Sequence, residues 1–275
     1  MVIRDGLKYG IDQLQGVQTA VLDTQLLMCY VMDMDKLRLL ISGDMPLNQA
    51  EEEKFVQLID RRKNGEPVQY ILGRCEFMSL DFDVNPNVLI PRPDTETLVE
   101  AVLERVDGGE VLEIGSGSGC IPISLAYYNK NIRAVSMDIS PMATKTAMGN
   151  AEKNGVADRV QFITKSVFDG IDGVYDCIVS NPPYIETDVV PTLQVEVQKE
   201  PVLALDGGED GLDFYKYIIQ NAPQHLREGG LLAFEIGYEQ GRAVSSLMEN
   251  DFENIEIIKD LAGLDRVVLG YRKAE

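Results

Sequence analysis

The sequence predicts an α/β protein, a doubly wound and mainly parallel sheet preceded by a small all-helical domain. Three observations carry this. From Glu110 onward, short apolar runs alternate with amphipathic segments of helical period. The first of those runs opens into Gly115-Ser116-Gly117-Ser118-Gly119, and residues 1 to about 72 hold no strand signal at all.

In the opening segment the apolar residues Val21, Leu22, Leu26, Leu27, Tyr30 and Val31 recur at helical spacing. Asn48 followed by Glu51 has the form of a capping box and starts a helix that runs to about Asn64-Gly65. Residues 1–73 therefore read as a helical domain. A connector over 74–92 follows, in which Phe77, Leu80, Phe82 and Val84 suggest a short hairpin or an extended stretch closed by Asn85-Pro86-Asn87. The chain then enters Leu89-Ile90-Pro91-Arg92-Pro93-Asp94-Thr95-Glu96-Thr97, where two prolines forbid helix through residue 92 and Asp94 or Thr95 can cap a helix over about 95–106. The stiff Pro-Arg-Pro segment suits a plain connector and a ligand-facing loop equally.

Residues 93–275 form the larger domain. Strands are predicted at 110–114, 132–137, 159–164, 175–180, 230–236, 255–259 and 265–271, with helices at 119–129, 140–154, 212–227 and 239–250. Too few residues separate the last two strands for a helix, so they should pair as an antiparallel hairpin at one edge.

Composition narrows the function. The formal charge of -20 opposes a protein whose main work is gripping nucleic acid, although Arg61, Arg62 and Lys63 could form a local basic patch. Cys29, Cys75, Cys120 and Cys177 are scattered without metal-ligand spacing and read as small buried hydrophobes, and the lone histidine, His225, reads as structural. No metal site, disulfide framework or histidine-based nucleophile is indicated. No apolar run is long enough to span a bilayer, and the N-terminus lacks the blocks of a signal peptide, so a cytoplasmic protein is expected.

Two stretches carry chemistry. The strand Val111-Leu112-Glu113-Ile114 leads into the glycine turn, where a ligand can approach the backbone, and Asp138 ends the next strand, where a carboxylate can accept both ribose hydroxyls. A nucleoside-containing cofactor follows, either a dinucleotide or S-adenosylmethionine. Glu113 just before the turn would oppose a pyrophosphate but could face a methionine ammonium. The second stretch is Ile178-Val179-Ser180-Asn181-Pro182-Pro183-Tyr184, an apolar strand stopped by Asn and two prolines. The Asn181 side-chain oxygen and the proline carbonyls can converge on one NH2 group, while Tyr184 offers a flat face for a planar amide or exocyclic amine. Together the two stretches favour the methyl donor.

These residues resemble class I S-adenosylmethionine-dependent methyltransferases, and within them the HemK/PrmC family, which methylates the glutamine of the Gly-Gly-Gln tripeptide in class I peptide chain release factors. The likeness spans Glu66-Pro67-Val68-Gln69-Tyr70-Ile71-Leu72-Gly73, the Phe77 segment, Leu89-Ile90-Pro91-Arg92-Pro93-Asp94-Thr95-Glu96, Glu113 to Gly119, Asn181 to Tyr184, and Glu200-Pro201 through Gly207-Gly208 to Leu212. It implies a Rossmann-like, seven-stranded mixed sheet and a helical domain that helps recognise the release factor. It further implies a cofactor site of Glu113, Gly115, Ser116, Gly117, Ser118, Gly119, Asp138 and Asn181, with S-adenosylhomocysteine as product. The glutamine falls to Asn181, Pro182, Pro183 and Tyr184, with Asn181, Pro182 and Tyr184 catalytic. Near the adenine the family usually has an acidic residue before an apolar one, whereas Ser166-Val167 stands here.

A monomer without direct nucleic-acid binding or membrane association is expected. The rival readings are a ribosomal-protein glutamine methyltransferase and a nucleic-acid adenine methyltransferase that flips its base out. The loop 186–211 is too long to be idle and should fold over the tripeptide, with its acidic residues Glu186, Asp188, Glu196, Glu200, Asp206, Glu209 and Asp210 solvated.

Overall fold

Asn48 and Glu51 close the cap that their spacing announces. The Asn48 Oδ1 accepts the Glu51 N–H at 2.9 Å, and the Glu51 carboxylate accepts the Asn48 N–H at 2.8 Å. The helix Gln49–Lys63 starts there. In the computed structural model, which describes residues 1–274, it is one of five helices in a first unit made of Met1–Arg74 and Gln194–Lys199. These are α1 (Ile3–Gln13), α2 (Ala20–Met32), α3 (Lys36–Ile41), α4 (Gln49–Lys63) and α5 (Val68–Leu72).

Ile3, Leu27, Met28, Phe55 and Ile59 are central to this unit's core. The apolar stripe expected on α2 is only partly buried: Val21, Leu22 and Tyr30 are exposed, while Asp23 and Thr24 turn inward beside Leu27 and Met28. The reason is a buried ion pair, Arg62 Nε to Asp23 Oδ2 at 2.7 Å, with both side chains 3% exposed. Arg62 also pairs with Glu196, Arg61 pairs with Glu66, and Lys63 donates to Gln13. The three adjacent cations are thus engaged within the unit and do not form a free basic patch.

The second unit takes Cys75–Leu193 and the residues from Glu200 on. It begins with the hairpin of β1 (Arg74–Phe77) and β2 (Leu80–Asp83), whose two-residue turn Met78-Ser79 has positive φ at both positions. A short turn at Pro93–Thr95 leads into α6 (Glu96–Leu103). The order then runs β3 (Gly109–Ile114), α7 (Cys120–Tyr128), β4 (Ile132–Asp138), α8 (Pro141–Lys153), β5 (Val160–Thr164) and β6 (Tyr175–Ser180). It continues with α9 (Asp213–His225), β7 (Leu226–Glu235), α10 (Gly241–Met248), β8 (Phe252–Lys259) and β9 (Asp265–Arg272).

Seven strands form one sheet in the order β5-β4-β3-β6-β7-β9-β8. The first five are parallel. The β8–β9 pair is the expected antiparallel hairpin at an edge, with β9 inserted between β7 and β8 and antiparallel to both. Alternate residues of β3, β6 and β7 enter two apolar layers. Val111, Cys177 and Ala233 pack with α6 and α7 on one face, and Leu112, Ile178 and Leu232 pack with α9 and α10 on the other. β7 starts four residues before the expected 230, because its pairing with β6 jumps from Tyr175–Leu226 to Cys177–Leu231 around Gly229.

The histidine is held by its own fold, with His225 Nδ1 2.9 Å from the Gly173 carbonyl. Of the cysteines only Cys177 is fully buried. No helix among the described residues is long and apolar enough to cross a membrane.

Candidate active site

Strand order reverses at β3, which has β4 on one side and β6 on the other. Ligands of open α/β sheets lie beyond the carboxyl ends of the strands at such a point. The register does the assembling. Ile114 pairs with Met137 on one side and Ser180 on the other, so Gly115, Asp138 and Asn181 leave the sheet side by side.

The glycine turn and the acid are joined directly. Gly117 donates its N–H to Asp138 Oδ2 at 2.9 Å, and Ser140 donates to Oδ1 at 2.8 Å. Burial raises the Asp138 pKa above its ordinary value, and the two N–H donors act in the opposite direction. Glu113 is 1% exposed and accepts a hydrogen bond from the Ser136 hydroxyl, which also meets Ser116 Oγ. Burial holds its carboxyl well above the usual carboxylate range, with the Ser136 bond opposing.

A cavity of about 400 Å³ opens here. Glu113, Gly115, Ser116, Gly117, Ser118, Asp138, Ser166, Val167, Asn181, Pro182 and Pro183 all line it. Two of the residues singled out in the sequence lie outside its wall. Gly119 has φ +81°, and a Cβ there would come within 2.9 Å of Ile123 Cδ1 and 3.0 Å of Ala147 Cβ, so it lets α7 start close against α8. Tyr184 packs beside the apolar layer of α9 and β7, its carbonyl accepts from Gln240 Nε2 at 3.0 Å, and burial pushes its hydroxyl up to about 12.

Leu89, Pro91, Arg92 and Thr95 also line the cavity, which makes the Pro-Arg-Pro stretch a ligand-facing loop. It is fixed by Glu200, whose carboxylate accepts the Ile90 N–H at 3.0 Å and pairs with Arg92. Glu200 is only 4% exposed, so the expectation that every acid of the loop is solvated is wrong for it; the Ile90 N–H and the Arg92 guanidinium take the place of water around its carboxyl. Glu196 departs from that expectation too, through its pairing with Arg62.

The loop turns back at Ile185, which donates to the Leu205 carbonyl at 3.0 Å and accepts from Gly207 at 2.8 Å. Gly207 is pressed against the Asn-Pro-Pro-Tyr stretch: a Cβ would meet Pro183 O at 2.7 Å and Tyr184 Cα at 2.8 Å.

Sequence reasoning missed Phe168, Phe214 and Leu203 in the wall. The Ser166 Oγ accepts the Phe168 N–H at 3.2 Å. Phe168 itself packs on Phe214 and Tyr217, with ring centroids at 5.2 and 4.8 Å. The only signal was an aromatic residue two positions beyond Ser166.

The site's chemistry fits a cationic nucleoside cofactor. The buried Glu113 and the partly buried Asp138, one at each end of the glycine turn's reach, would meet an ammonium and a ribose, and both carboxylates would resist a pyrophosphate.

Residues 5–73 match the PrmC N-terminal domain family, and residues 93–199 match the Methyltransferase small domain. The release factor glutamine methyltransferase of Moorella thermoacetica is 44% identical over 283 aligned residues, which cover 100% of both chains. Its counterpart from Clostridium botulinum is 42% identical over 278 residues, 98% of each chain. Among solved structures, a methyltransferase from Pyrococcus furiosus matches with a TM-score of 0.55 at 18% identity, covering 72% of this chain and 91% of that one, a likeness of fold alone. The second unit has the class I S-adenosylmethionine-dependent methyltransferase fold.

Proposed function

The chain belongs to the release factor glutamine methyltransferase family, and from that premise we propose that it methylates the side-chain amide nitrogen of the glutamine in the Gly-Gly-Gln tripeptide of class I peptide chain release factors. S-adenosylmethionine is the donor. The observation that carries this reading is the register that sets Asn181 beside Gly115, which itself neighbours Asp138, at the rim of one cavity.

Bound S-adenosylmethionine supplies a methyl group on an electrophilic sulfonium and leaves as S-adenosylhomocysteine. Asp138 would accept the ribose hydroxyls, and Glu113 would face the methionine ammonium. Gly115, Ser116, Gly117 and Ser118 would line the backbone approach, with Ser166 and Val167 toward the adenine. Gly119 serves by letting α7 begin where it does.

A glutamine amide nitrogen is a poor nucleophile because its lone pair is delocalised into the carbonyl. The Asn181 Oδ1 and the Pro182 carbonyl accept its two N–H groups, and Pro183 walls the pocket. Tyr184 supports the amide plane from beside the cavity. The acceptors favour the positive charge that grows on nitrogen during transfer, and the extra proton leaves afterwards. Residues 1–73 supply recognition of the release factor.

The test is incubation with methyl-labelled S-adenosylmethionine and a purified class I release factor, beside the same factor with its Gly-Gly-Gln glutamine changed to alanine. Label on that glutamine alone supports the reading. Transfer instead to a ribosomal protein or to DNA would overturn the substrate assignment while leaving the fold and donor in place.

A further inference from the structure

The Asn181 amide carries an acceptor on one side and two donors on the other, so its orientation decides what it can bind. Only the oxygen suits a substrate amide that arrives with N–H groups. The surroundings of Asn181 select that orientation.

Ser180 pairs with Phe234, so Asn181 and Glu235 leave the sheet as neighbours at the ends of β6 and β7. Thr95, at the end of the Pro93–Thr95 turn, stands between them. Asn181 Nδ2 donates to Thr95 Oγ1 at 3.4 Å, and the Thr95 hydroxyl lies close enough to the Glu235 carboxyl to favour its charged form. Thr95 and Glu235 are each 2% exposed. A hydroxyl has a single proton. Donated to the carboxylate, it leaves Thr95 only lone pairs for Asn181, which must therefore turn its NH2 toward Thr95 and its oxygen away.

Stability does not account for Glu235. Its Oε2 is buried with no hydrogen-bond partner among the described residues, and Arg266, whose charge acts on it, is itself paired with Asp260 at 3.1 Å and Asp94 at 3.3 Å. A buried carboxyl so poorly satisfied is costly to keep.

We propose that Thr95 and Glu235 are positioning residues that set the Asn181 amide with its oxygen toward the substrate, Glu235 acting through Thr95. The inference rests on the reading of Asn181 as the acceptor for a glutamine amide. With the relay gone, Asn181 turns freely and in part of the molecules opposes donors with donors.

The test compares Thr95→Val, which keeps the shape and loses the hydroxyl, with Thr95→Ser, which restores it. Two readouts are taken: steady-state transfer to the release factor, and hydrogen exchange of the Asn181 side-chain NH2 by NMR without substrate. The valine variant should lose roughly 10- to 100-fold in kcat with cofactor affinity unchanged, and its Asn181 NH2 should exchange faster. The serine variant should recover both. Wild-type kcat and exchange in the valine variant would overturn the inference, as would a serine variant no better than valine. Failure of the wild type to label the glutamine would instead sink the substrate reading, and the exchange measurement would still decide the relay.

Discussion

Gly117 gives its N–H to the Asp138 carboxylate at 2.9 Å, which ties the turn after one strand to the acid that ends the next. Asp138 thus shapes the turn, and on the proposed reading it also accepts the ribose hydroxyls. Replacing it by alanine should weaken S-adenosylmethionine binding by about 1.5–3 kcal/mol, the worth of hydrogen bonds to a charged group. Calorimetry that finds unchanged affinity would remove Asp138 from the site.

Glu200 reaches 110 residues back along the chain to the Ile90 N–H. Glu200→Ala leaves that buried donor unpaired, while the partly exposed Arg92 regains water. The expected loss is about 1–3 kcal/mol in the unfolding of the second unit. An unchanged urea midpoint would contradict it.

Gly207 lies against the backbone of Pro183 and Tyr184. Its replacement by alanine forces that backbone to shift, at a cost of about 1–3 kcal/mol. Because the strain falls on Pro183 and Tyr184, which the proposed function gives to the substrate amide, kcat should drop more than cofactor affinity does. Equal losses in both would show that the strain spreads across the whole cavity.

Glu235 makes stability depend on pH. Burial pushes its pKa up from 4.5 to about 7; the Thr95 hydroxyl and the Arg266 and Arg92 charges oppose that rise, and Asp94 adds to it. The hydroxyls of Tyr184 and Tyr215 stay protonated in this range, their own pKa values being raised by burial. The folded state therefore binds this proton more tightly than the unfolded chain. Its contribution is fully present below pH 4.5 and is lost as pH rises through about 7, a change of about 3 kcal/mol. Glu235→Gln should flatten that part of the profile, measured as urea midpoints across the range. A variant with the wild-type slope would show that the dependence lies elsewhere.

What the sequence announces here is local. Asn48 and Glu51 satisfy each other within one turn, so the helix start is legible from three residues of spacing. The ends of β3, β4 and β6 are legible because apolar runs stop at Gly115, Asp138 and Asn181. The buried face of α2 was not, because it depends on Arg62, 39 residues from Asp23. Nor was the role of Thr95, which reads as a helix cap until the register of β6 and β7 brings Asn181 and Glu235 to it. Phe168 escaped notice for the same reason: Phe214, on which it packs, comes from a distant helix.

The central claim is that the Asn181 oxygen holds the reacting amide. It is tested most directly by single-turnover methyl transfer to the release factor by Asn181→Ala, with S-adenosylmethionine affinity measured on the same protein. The account expects transfer to slow by roughly 100- to 1,000-fold, as when one aligned partner of a transition state is removed, with cofactor affinity nearly intact. Transfer at the wild-type rate would contradict it.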